Sequence, residues 1–234
     1  MIKKVSTTLP NFEYFIKGEN PTLLIHSGTH GDEYEVIDFV KKSVQKYEDK
    51  LPDFIFVPEV SPSAVKNKTR VNGNGNDLNR IFFSDSKDIE VQENIKILDG
   101  YNFDLFVSFH EDPLSDEYYI YDSGYKLEES DNIKAYNQKL KSLGINLLNG
   151  IDDLDDPDLG YEFKDGYKKF IETKEDLTNG MITVWSMLEK NVQTCLTPEI
   201  PGLLSLNKKE LIVDTFFVDI LTGLNKPHGI VFFN

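Results

Sequence analysis

The chain has 234 residues, with 25 Lys or Arg against 40 Asp or Glu, and its formal net charge at pH 7 is −15. Because affinity for nucleic acids depends on cations that neutralise phosphates, this charge disfavours a nucleic-acid partner. The chain is 39% hydrophobic, and its length suits one domain over residues 1–234. No segment approaches the ~20 apolar residues of a membrane span, so no membrane partner and a cytoplasmic location are expected.

Cysteine and arginine are both scarce. Cys195 is the only cysteine, so an internal disulfide and a zinc–thiolate cluster are excluded, and a metal would have to bind to histidine and carboxylate side chains. Only two of the 25 cationic residues are arginine, Arg70 and Arg80. Since arginine binds carboxylate and carbonyl oxygens with a planar fork that lysine lacks, both are expected to serve a function.

Short apolar runs alternate with segments of helical periodicity along the chain. The first run, 22–28, is followed by apolar residues at helical spacing from Val36 to Tyr47. Further strands are predicted at 54–58, 104–109 and 192–197, and helices near 88–98 and from about 207 to 223. The alternation predicts an α/β sheet.

Two later segments carry more specific expectations. Asn207, with Glu210 three residues on, is expected to cap the last helix, which is apolar nearly all round and is therefore expected to be buried. Residues 148–168 are acidic and are expected to form a solvated loop. Their spacing does not fit a calcium-binding loop.

Histidine and glutamate three residues apart form the first candidate for chemistry. In His30-Gly31-Asp32-Glu33 both side chains can face one metal at the start of a helix, and the glycine allows a tight turn. His110 directly follows a buried strand, the position at which open α/β sheets place their sites. Two imidazoles and one carboxylate leave a tetrahedral zinc ion with one open position, as in hydrolytic sites. His26, inside a strand, and His228, in a terminal turn, are weaker candidates.

Two further stretches are polar at the ends of predicted elements. Residues 69–80 (TRVNGNGNDLNR) are rich in glycine and asparagine and predict a turning loop, without the Gly-Lys-Ser/Thr ending of a phosphate-binding loop. Glu199 follows an apolar strand between two prolines, Pro198 and Pro201. Taken alone, Glu199 is best interpreted as the first polar residue after a strand.

The order of these motifs over residues 30–199 resembles the carboxypeptidase A-like zinc carboxypeptidases. Residues 69–80 are similar to the bacterial branch that includes murein tripeptide amidases, and 77–82 are similar to the related aspartoacylase and succinylglutamate desuccinylase group. The resemblance implies an α/β domain with a central mixed sheet flanked by helices, of the phosphorylase/hydrolase-like type. Those deacylases usually carry a further C-terminal β domain, whereas 35 residues follow Glu199 here, which favours the peptidase branch.

The resemblance also implies a metal centre. It implies that His30, Glu33 and His110 hold one zinc ion, and that Asp77 hydrogen-bonds the second ring nitrogen of His30. Glu111, directly after the second histidine, departs from the small or neutral polar residues that relatives more often have there, as does the residue that follows it, Asp112.

Four further residues acquire catalytic or binding roles through the resemblance. Glu199 is implied as the general base and then the general acid, and Arg70 as the group against the scissile carbonyl oxygen. Asn79 and Arg80 are implied to bind the free carboxylate of the substrate. The tyrosine common in carboxypeptidase clefts is not located by motif, and only their position before Glu199 makes Tyr161 and Tyr167 candidates.

These inferences predict a zinc-dependent hydrolase that removes a C-terminal amino acid from a small peptide, with a murein-derived peptide as the leading substrate. An N-acyl amino acid deacylase is the first alternative, since it uses the same residues on another acyl group. A protein that binds zinc and a carboxylate without catalysis is the second. The preferred residue, the oligomeric state and the physiological metal stay open.

Overall fold

The computed structural model describes residues 1–125, 129–153, 155–156, 159–171, 173–190 and 192–225. In this part of the chain there are six α-helices: α1 (Tyr34–Tyr47), α2 (Pro62–Asn67), α3 (Ile89–Asp99), α4 (Asp131–Ser142), α5 (Ile182–Lys190) and α6 (Leu206–Phe216). A π-helical turn, Phe217–Leu221, and a 3₁₀ turn, Thr222–Asn225, continue the last helix. Other 3₁₀ turns lie at Glu48–Lys50, Leu78–Arg80 and Lys174–Asn179.

Twelve strands are formed by the described residues. They are β1 (Ile2–Val5), β2 (Glu13–Lys17), β3 (Leu23–His26), β4 (Phe54–Val57), β5 (Leu105–Ser108), β6 (His110–Asp112), β7 (Glu117–Gly124), β8 (Asn146–Leu147), β9 (Gly150–Ile151), β10 (Glu162–Phe163), β11 (Tyr167–Ile171) and β12 (Thr194–Pro201). Ten belong to one sheet, in the order β1-β2-β4-β3-β5-β12-β7-β11, with β6 beside β12 and β8 beside β7. β9 and β10 form a separate antiparallel pair.

The central strands are parallel and the outer ones mixed. β3 pairs in parallel with β4 and β5, and β5 with β12, whereas β12 pairs antiparallel with β7. Every residue of β3, β4 and β5 is buried, as expected for parallel strands covered on both faces. The predicted α/β fold with a mixed central sheet is therefore confirmed.

Alternation along the central strands creates two cores. Leu23 and Ile25 face one cluster, packed against apolar side chains of α1, α4 and α6. Leu24 faces the other, packed against α3 and α5. Because strand side chains alternate between faces, one short apolar strand contributes to both layers of helices.

The predicted strands and the helices near 36–47 and 88–98 are confirmed, but three later expectations need correction. The last helix begins at Leu206 with Ser205 as its N-cap residue, not Asn207. It is not buried all round, because Leu211 is 37% and Val218 40% exposed. The stretch 148–168 also contains β9, β10 and the start of β11, in addition to loops. None of the described helices is both long and apolar enough to cross a membrane.

Parallel pairing brings the predicted site residues to one edge of the sheet. The chain leaves the carboxyl end of β3 towards the loop that carries His30, and leaves β5 towards His110. Glu199 lies opposite His110 in the register of β12 and β6. Since the carboxyl ends of parallel strands meet at the same edge, three distant segments of the chain converge there.

Candidate active site

The three predicted metal ligands lie together and are buried. Nδ1 of His30 is 2.5 Å from Oε1 of Glu33, and Nδ1 of His110 is 3.0 Å from Oε2 of the same carboxylate. One donor atom from each of the three residues lies within 4.8 Å of the other two. The exposed fraction is 2% for His30 and 3% for Glu33 and His110. Both imidazoles therefore turn the same ring nitrogen towards a shared point.

The electrostatics of this cluster favour a bound cation. Burial opposes ionisation of Glu33, but the two imidazoles outweigh it and hold the pKa of Glu33 well below its usual range. Burial lowers the pKa of His30, but Glu33 and Asp77 outweigh it and raise that pKa to about 9. The negative charge that holds a proton on His30 would equally favour a divalent cation, and two imidazole nitrogens with one carboxylate suit zinc. The residues present thus fit the predicted metal.

Hydrogen bonds fix both imidazole rings from behind. Nε2 of His30 lies 3.1 Å from Oδ1 of Asp77, and Nε2 of His110 lies 3.1 Å from Oγ of Ser108. Such bonds set the orientation and tautomer of metal-binding histidines. Asp77 also accepts a hydrogen bond from Nε of Arg70 at 2.9 Å, so one carboxylate joins a predicted ligand to a predicted catalytic cation.

Close backbone packing holds the loop of Arg70 against the loop of His30. The backbone N–H of Gly31 donates to the carbonyl of Thr69 at 2.9 Å. A Cβ atom at Gly31 would lie 1.9 Å from the carbonyl oxygen of Ala64, so only glycine fits there.

The asparagines of residues 69–80 have a structural role that the sequence did not suggest. The side-chain amides of Asn72, Asn74 and Asn76 all donate to Oδ2 of Asp88, at 2.7, 3.3 and 3.1 Å. Asp88 also caps the N-terminus of α3 through Oδ1. The three asparagines therefore hold the loop around the carboxylate of Asp88, between Arg70 at one end of the loop and Asp77 at the other.

Glu199 lies on β12 opposite His110 on one side and Tyr119 on the other. Burial, together with the charges of Glu33 and Asp112, raises its pKa well above that of an ordinary glutamate. A carboxyl group whose pKa is raised in this way is suited to accept and return a proton near neutral pH.

Asn79 and Arg80 are both tied to the protein. Oδ1 of Asn79 accepts the backbone N–H of Ile182 at 3.1 Å. Arg80 donates to the carbonyl of Asn79 at 3.0 Å through Nη1, and to the carboxylate of Asp156 through Nη2. The fork predicted to bind a substrate carboxylate thus binds a carboxylate of the acidic segment.

One cavity of about 430 Å³ brings the predicted residues together. Seven of them line it: His30, Glu33, Arg70, Asn79, Arg80, His110 and Glu199. Asp77 contributes from behind, through His30 and Arg70. The resemblance had grouped these residues, and the fold brings them to one place.

Of the tyrosines that line the cavity, only Tyr161 was named from the sequence. Tyr161 lines it, whereas the hydroxyl of Tyr167 donates to buried Asp122 at 2.6 Å, and Tyr167 is not among the lining residues. Tyr119 and Tyr121 also line it, and their hydroxyls donate to carboxylates of Asp112 and Asp152 at 2.9 and 2.6 Å. Burial and Glu199 raise the pKa of both tyrosines. Tyr119 and Tyr121 are two residues apart on β7, so their side chains lie on the same face of the sheet. This spacing is the feature of the sequence that could have indicated them.

Of the two weaker histidine candidates, His26 is not a member of the metal cluster found among the described residues. Both ring nitrogens of His26 are buried without a hydrogen-bond partner among the described residues. Burial, reinforced by His110, lowers its pKa to about 3. His228 lies outside the described residues.

Comparison with known proteins gives a family match over part of the chain. Residues 19–101 match the model of the succinylglutamate desuccinylase/aspartoacylase catalytic domain. This segment contains His30 and Glu33, the arginine-bearing loop and Arg80, but neither His110 nor Glu199. Among curated proteins, none matches the chain significantly in sequence.

Several solved structures share the fold at low identity. A provisionally named metallopeptidase from Shewanella baltica OS155 is 18% identical, with a TM-score of 0.74 over 94% of this chain and 85% of that one. A murein-tripeptide amidase from Escherichia coli O157 is 20% identical, with a TM-score of 0.54 over 87% and 85%. A succinylglutamate desuccinylase from Silicibacter sp. TM1040 is 16% identical, with a TM-score of 0.56 over 90% and 59%.

At these identities the solved structures establish the fold alone. The family model covers the segment that contains His30, Glu33 and the loop of residues 69–80. The resemblance predicted from the sequence is thereby confirmed: this chain has the zinc carboxypeptidase-like fold, and its residues 19–101 match the succinylglutamate desuccinylase/aspartoacylase catalytic-domain family.

Proposed function

We propose that this protein is a zinc-dependent carboxypeptidase that hydrolyses the amide bond next to the free carboxylate of a small peptide. One observation carries the proposal: the buried His30, Glu33 and His110 share a cavity with Glu199 and with both arginines of the chain. A metal centre, a proton-transfer group and two planar cations are the parts that this reaction requires.

The chain's own residues divide the reaction between them. His30, Glu33 and His110 would hold zinc, which when bound supplies a Lewis acid that acidifies water and polarises a carbonyl group. Glu199 takes a proton from the attacking water and delivers it to the amine that leaves. Arg70 donates to the oxygen that becomes negative as the carbonyl carbon turns tetrahedral, an interaction stronger in the transition state than in the ground state.

Asn79 and Arg80 select the end of the peptide. Arg80 offers the planar fork that binds a carboxylate in two parallel hydrogen bonds. The side-chain carbonyl of Asn79 is held by the backbone of Ile182, at the start of α5, which leaves its amide group to donate to the substrate. An internal peptide bond lacks the carboxylate that satisfies these donors and is therefore bound more weakly.

The charge of the cavity favours a peptide over an N-acyl amino acid with several carboxylates. Eight carboxylate side chains line the cavity, against two guanidinium groups. N-succinylglutamate or N-acetylaspartate would bring two or three further negative charges into this field, whereas a peptide brings an ammonium group as well. A murein-derived peptide offsets its carboxylates with free ammonium groups, and it is the first substrate to test.

Glu199→Gln tests the mechanism. Glutamine keeps the size of the side chain but cannot take the proton, so kcat should fall by about 10²–10⁴-fold while zinc content is unchanged. The matched control is Glu210→Gln on α6, outside the cavity-lining residues, which should retain full activity. Hydrolysis by zinc-loaded Glu199→Gln at the wild-type rate would refute the assignment of Glu199.

Mass spectrometry of a mixed substrate pool tests the substrate class. The pool contains murein tripeptide, ordinary dipeptides, their C-terminal amides, and N-acetylaspartate with N-succinylglutamate. Loss of a C-terminal residue from a peptide acid, and not from its amide, is the expected result. Consumption of the N-acyl amino acids alone would assign the protein to the deacylases, and an untouched pool with zinc bound would indicate a binding protein.

A further inference from the structure

A lysine is buried behind the metal cluster. Lys209, on α6, is 1% exposed, although lysine is almost never fully buried unless its charge is paired. Its ammonium group donates to Oε2 of Glu35 at 2.6 Å and to Oε1 of Glu111 at 2.5 Å. The side chain of Glu111 is 6% exposed and that of Glu35 33%.

The two partners of Lys209 belong to the two segments that carry the metal ligands. Glu35 is in the first turn of α1, two residues after Glu33. Glu111 follows His110 directly in β6. The backbone N–H of Glu111 also donates to Oε2 of Glu33 at 3.2 Å. One ammonium group on α6 therefore links α1 to β6 at the point where both present ligands.

The contribution of this buried ion pair to the stability of the fold does not by itself account for its presence. Removing the charges of Lys209 and Glu111 from water costs free energy that buried ion pairs rarely recover, and apolar replacements of similar volume are often as stable or more so. In addition, Oε2 of Glu111 is buried without a hydrogen-bond partner among the described residues, which adds a desolvation cost.

We infer that Lys209 is a positioning residue for the metal centre. It holds the backbone of Glu111 where its N–H orients the carboxylate of Glu33, and it holds the start of α1 against β6, so that Glu33 and His110 face one ion. The inference rests on the proposed zinc site, but it does not depend on which substrate is hydrolysed.

Charge and geometry make opposite predictions for Lys209→Met. Methionine preserves an unbranched side chain of similar length but removes the positive charge. If Lys209 acted only through its charge, its removal would strengthen the binding of a divalent cation nearby. If it positions Glu33 and His110, its removal should weaken zinc binding by about 10–100-fold, the range found for groups that orient metal ligands. A purely structural role would lower the melting temperature and leave the affinity of the folded protein unchanged.

The experiment is a chelator competition that measures the zinc dissociation constant of the full-length chain, with the melting temperature of the zinc-free protein recorded in parallel. Lys208→Met is the matched control, since Lys208 is the preceding residue of α6, its side chain is exposed, and its ammonium group donates to the carbonyl of Gly144 at 3.1 Å. The Lys209→Met, Glu111→Gln double variant guards against failure to fold, because it removes the buried charge that the single variant leaves unpaired.

The expected result is zinc binding at least tenfold weaker in Lys209→Met and in the double variant, and within twofold of wild type in Lys208→Met. Unchanged or tighter zinc binding by the folded variants would overturn the inference, as would an equal loss in Lys208→Met. Because the readout is zinc affinity, wild-type protein that binds zinc but cleaves no peptide would refute the proposed function and leave the role of Lys209 standing.

Discussion

Arg80 donates a hydrogen bond to the carboxylate of Asp156, 76 residues further along the chain. The side chain of Arg80 is 23% exposed and that of Asp156 18%, and Arg80 lines the cavity. Since the predicted role of Arg80 is to bind the substrate's carboxylate, Asp156 holds the position that this carboxylate would take. The carboxylate of a substrate would have to displace that of Asp156 before it could bind to Arg80.

The first prediction follows from this competition. Asp156→Asn should lower KM for a peptide acid by about fivefold and leave kcat unchanged, because asparagine competes less well for the guanidinium group. This factor corresponds to ~1 kcal/mol, the size of a partly exposed ion pair. Steady-state kinetics with the peptide acid and with its C-terminal amide would measure it, and KM for the amide should not change.

Asp155→Asn is the matched control for Asp156→Asn. Asp155 lines the same cavity, so its removal alters the general field by the same charge. A similar fall in KM with Asp155→Asn would attribute the effect to the field. A rise in KM with Asp156→Asn would mean that Asp156 orients Arg80 for the substrate and does not compete with it.

The second prediction concerns Asp77→Asn. Asparagine can still accept the backbone N–H of Asn79, which Asp77 accepts at 2.8 Å as the cap of a 3₁₀ turn, so the fold should be retained. The charge that orients His30 and holds Arg70 is lost, and zinc affinity should fall by about 10–100-fold. Chelator competition would measure this, alongside thermal unfolding of the zinc-free protein. Wild-type affinity in Asp77→Asn would show that His30 does not need the carboxylate.

Residues that form an element or a motif within a short stretch were predictable from the sequence. The four predicted strands, β3, β4, β5 and β12, were found because each is a short, nearly continuous apolar run, which is what burial on both faces requires. Local spacing made His30, Glu33 and His110 candidates, and the resemblance of the motif order to the zinc carboxypeptidases grouped them as one metal site.

Contacts that join distant segments were not predictable. The buried ion pair of Lys209 joins it to Glu111, 98 residues away, and no local pattern indicates that contact. The pairing of Arg80 with Asp156 likewise joins residues that are 76 positions apart. Nor could apolar content alone show that α6 has an exposed side, because that side is set by which neighbours pack against it.

The third prediction is a shift in the pH dependence of hydrolysis. Burial, Glu33 and Asp112 raise the pKa of Glu199, and Glu199 must be ionised to act as the base. Asp112→Asn removes one of these negative charges, which favours the ionised form and lowers the pKa of Glu199. The acidic limb of kcat/KM should therefore move to lower pH.

The hydroxyl of Tyr119 donates to Asp112 at 2.9 Å, and asparagine can still accept that bond, so the local packing should survive in Asp112→Asn. Asp155→Asn again serves as the control, because Asp155 is not among the charges that act most strongly on Glu199. An acidic limb that stays in place, or moves to higher pH, would mean that another group sets it.

The fourth prediction concerns His26 and the stability of the fold in acid. Burial lowers the pKa of His26 from 6.5 to about 3, so the folded protein keeps the ring neutral where the unfolded chain protonates it. Between these pH values the unfolded state binds one more proton, and stability falls by ~1.4 kcal/mol for each unit that pH decreases. Above pH 6.5 the contribution of His26 no longer changes.

His26→Phe removes this titration from a site where the ring already packs edge-on against Phe106, with centroids 4.7 Å apart. Any change in packing caused by the larger ring is independent of pH, so the readout is the difference between the two proteins at pH 5 and at pH 7.5, measured by urea unfolding with a chelator present. Between pH 7.5 and pH 5, the free energy of unfolding of the variant should rise by ~2 kcal/mol relative to that of the wild type. Parallel pH dependences would mean that the folded protein accommodates a charged His26, which would require a polar partner that the described residues do not supply.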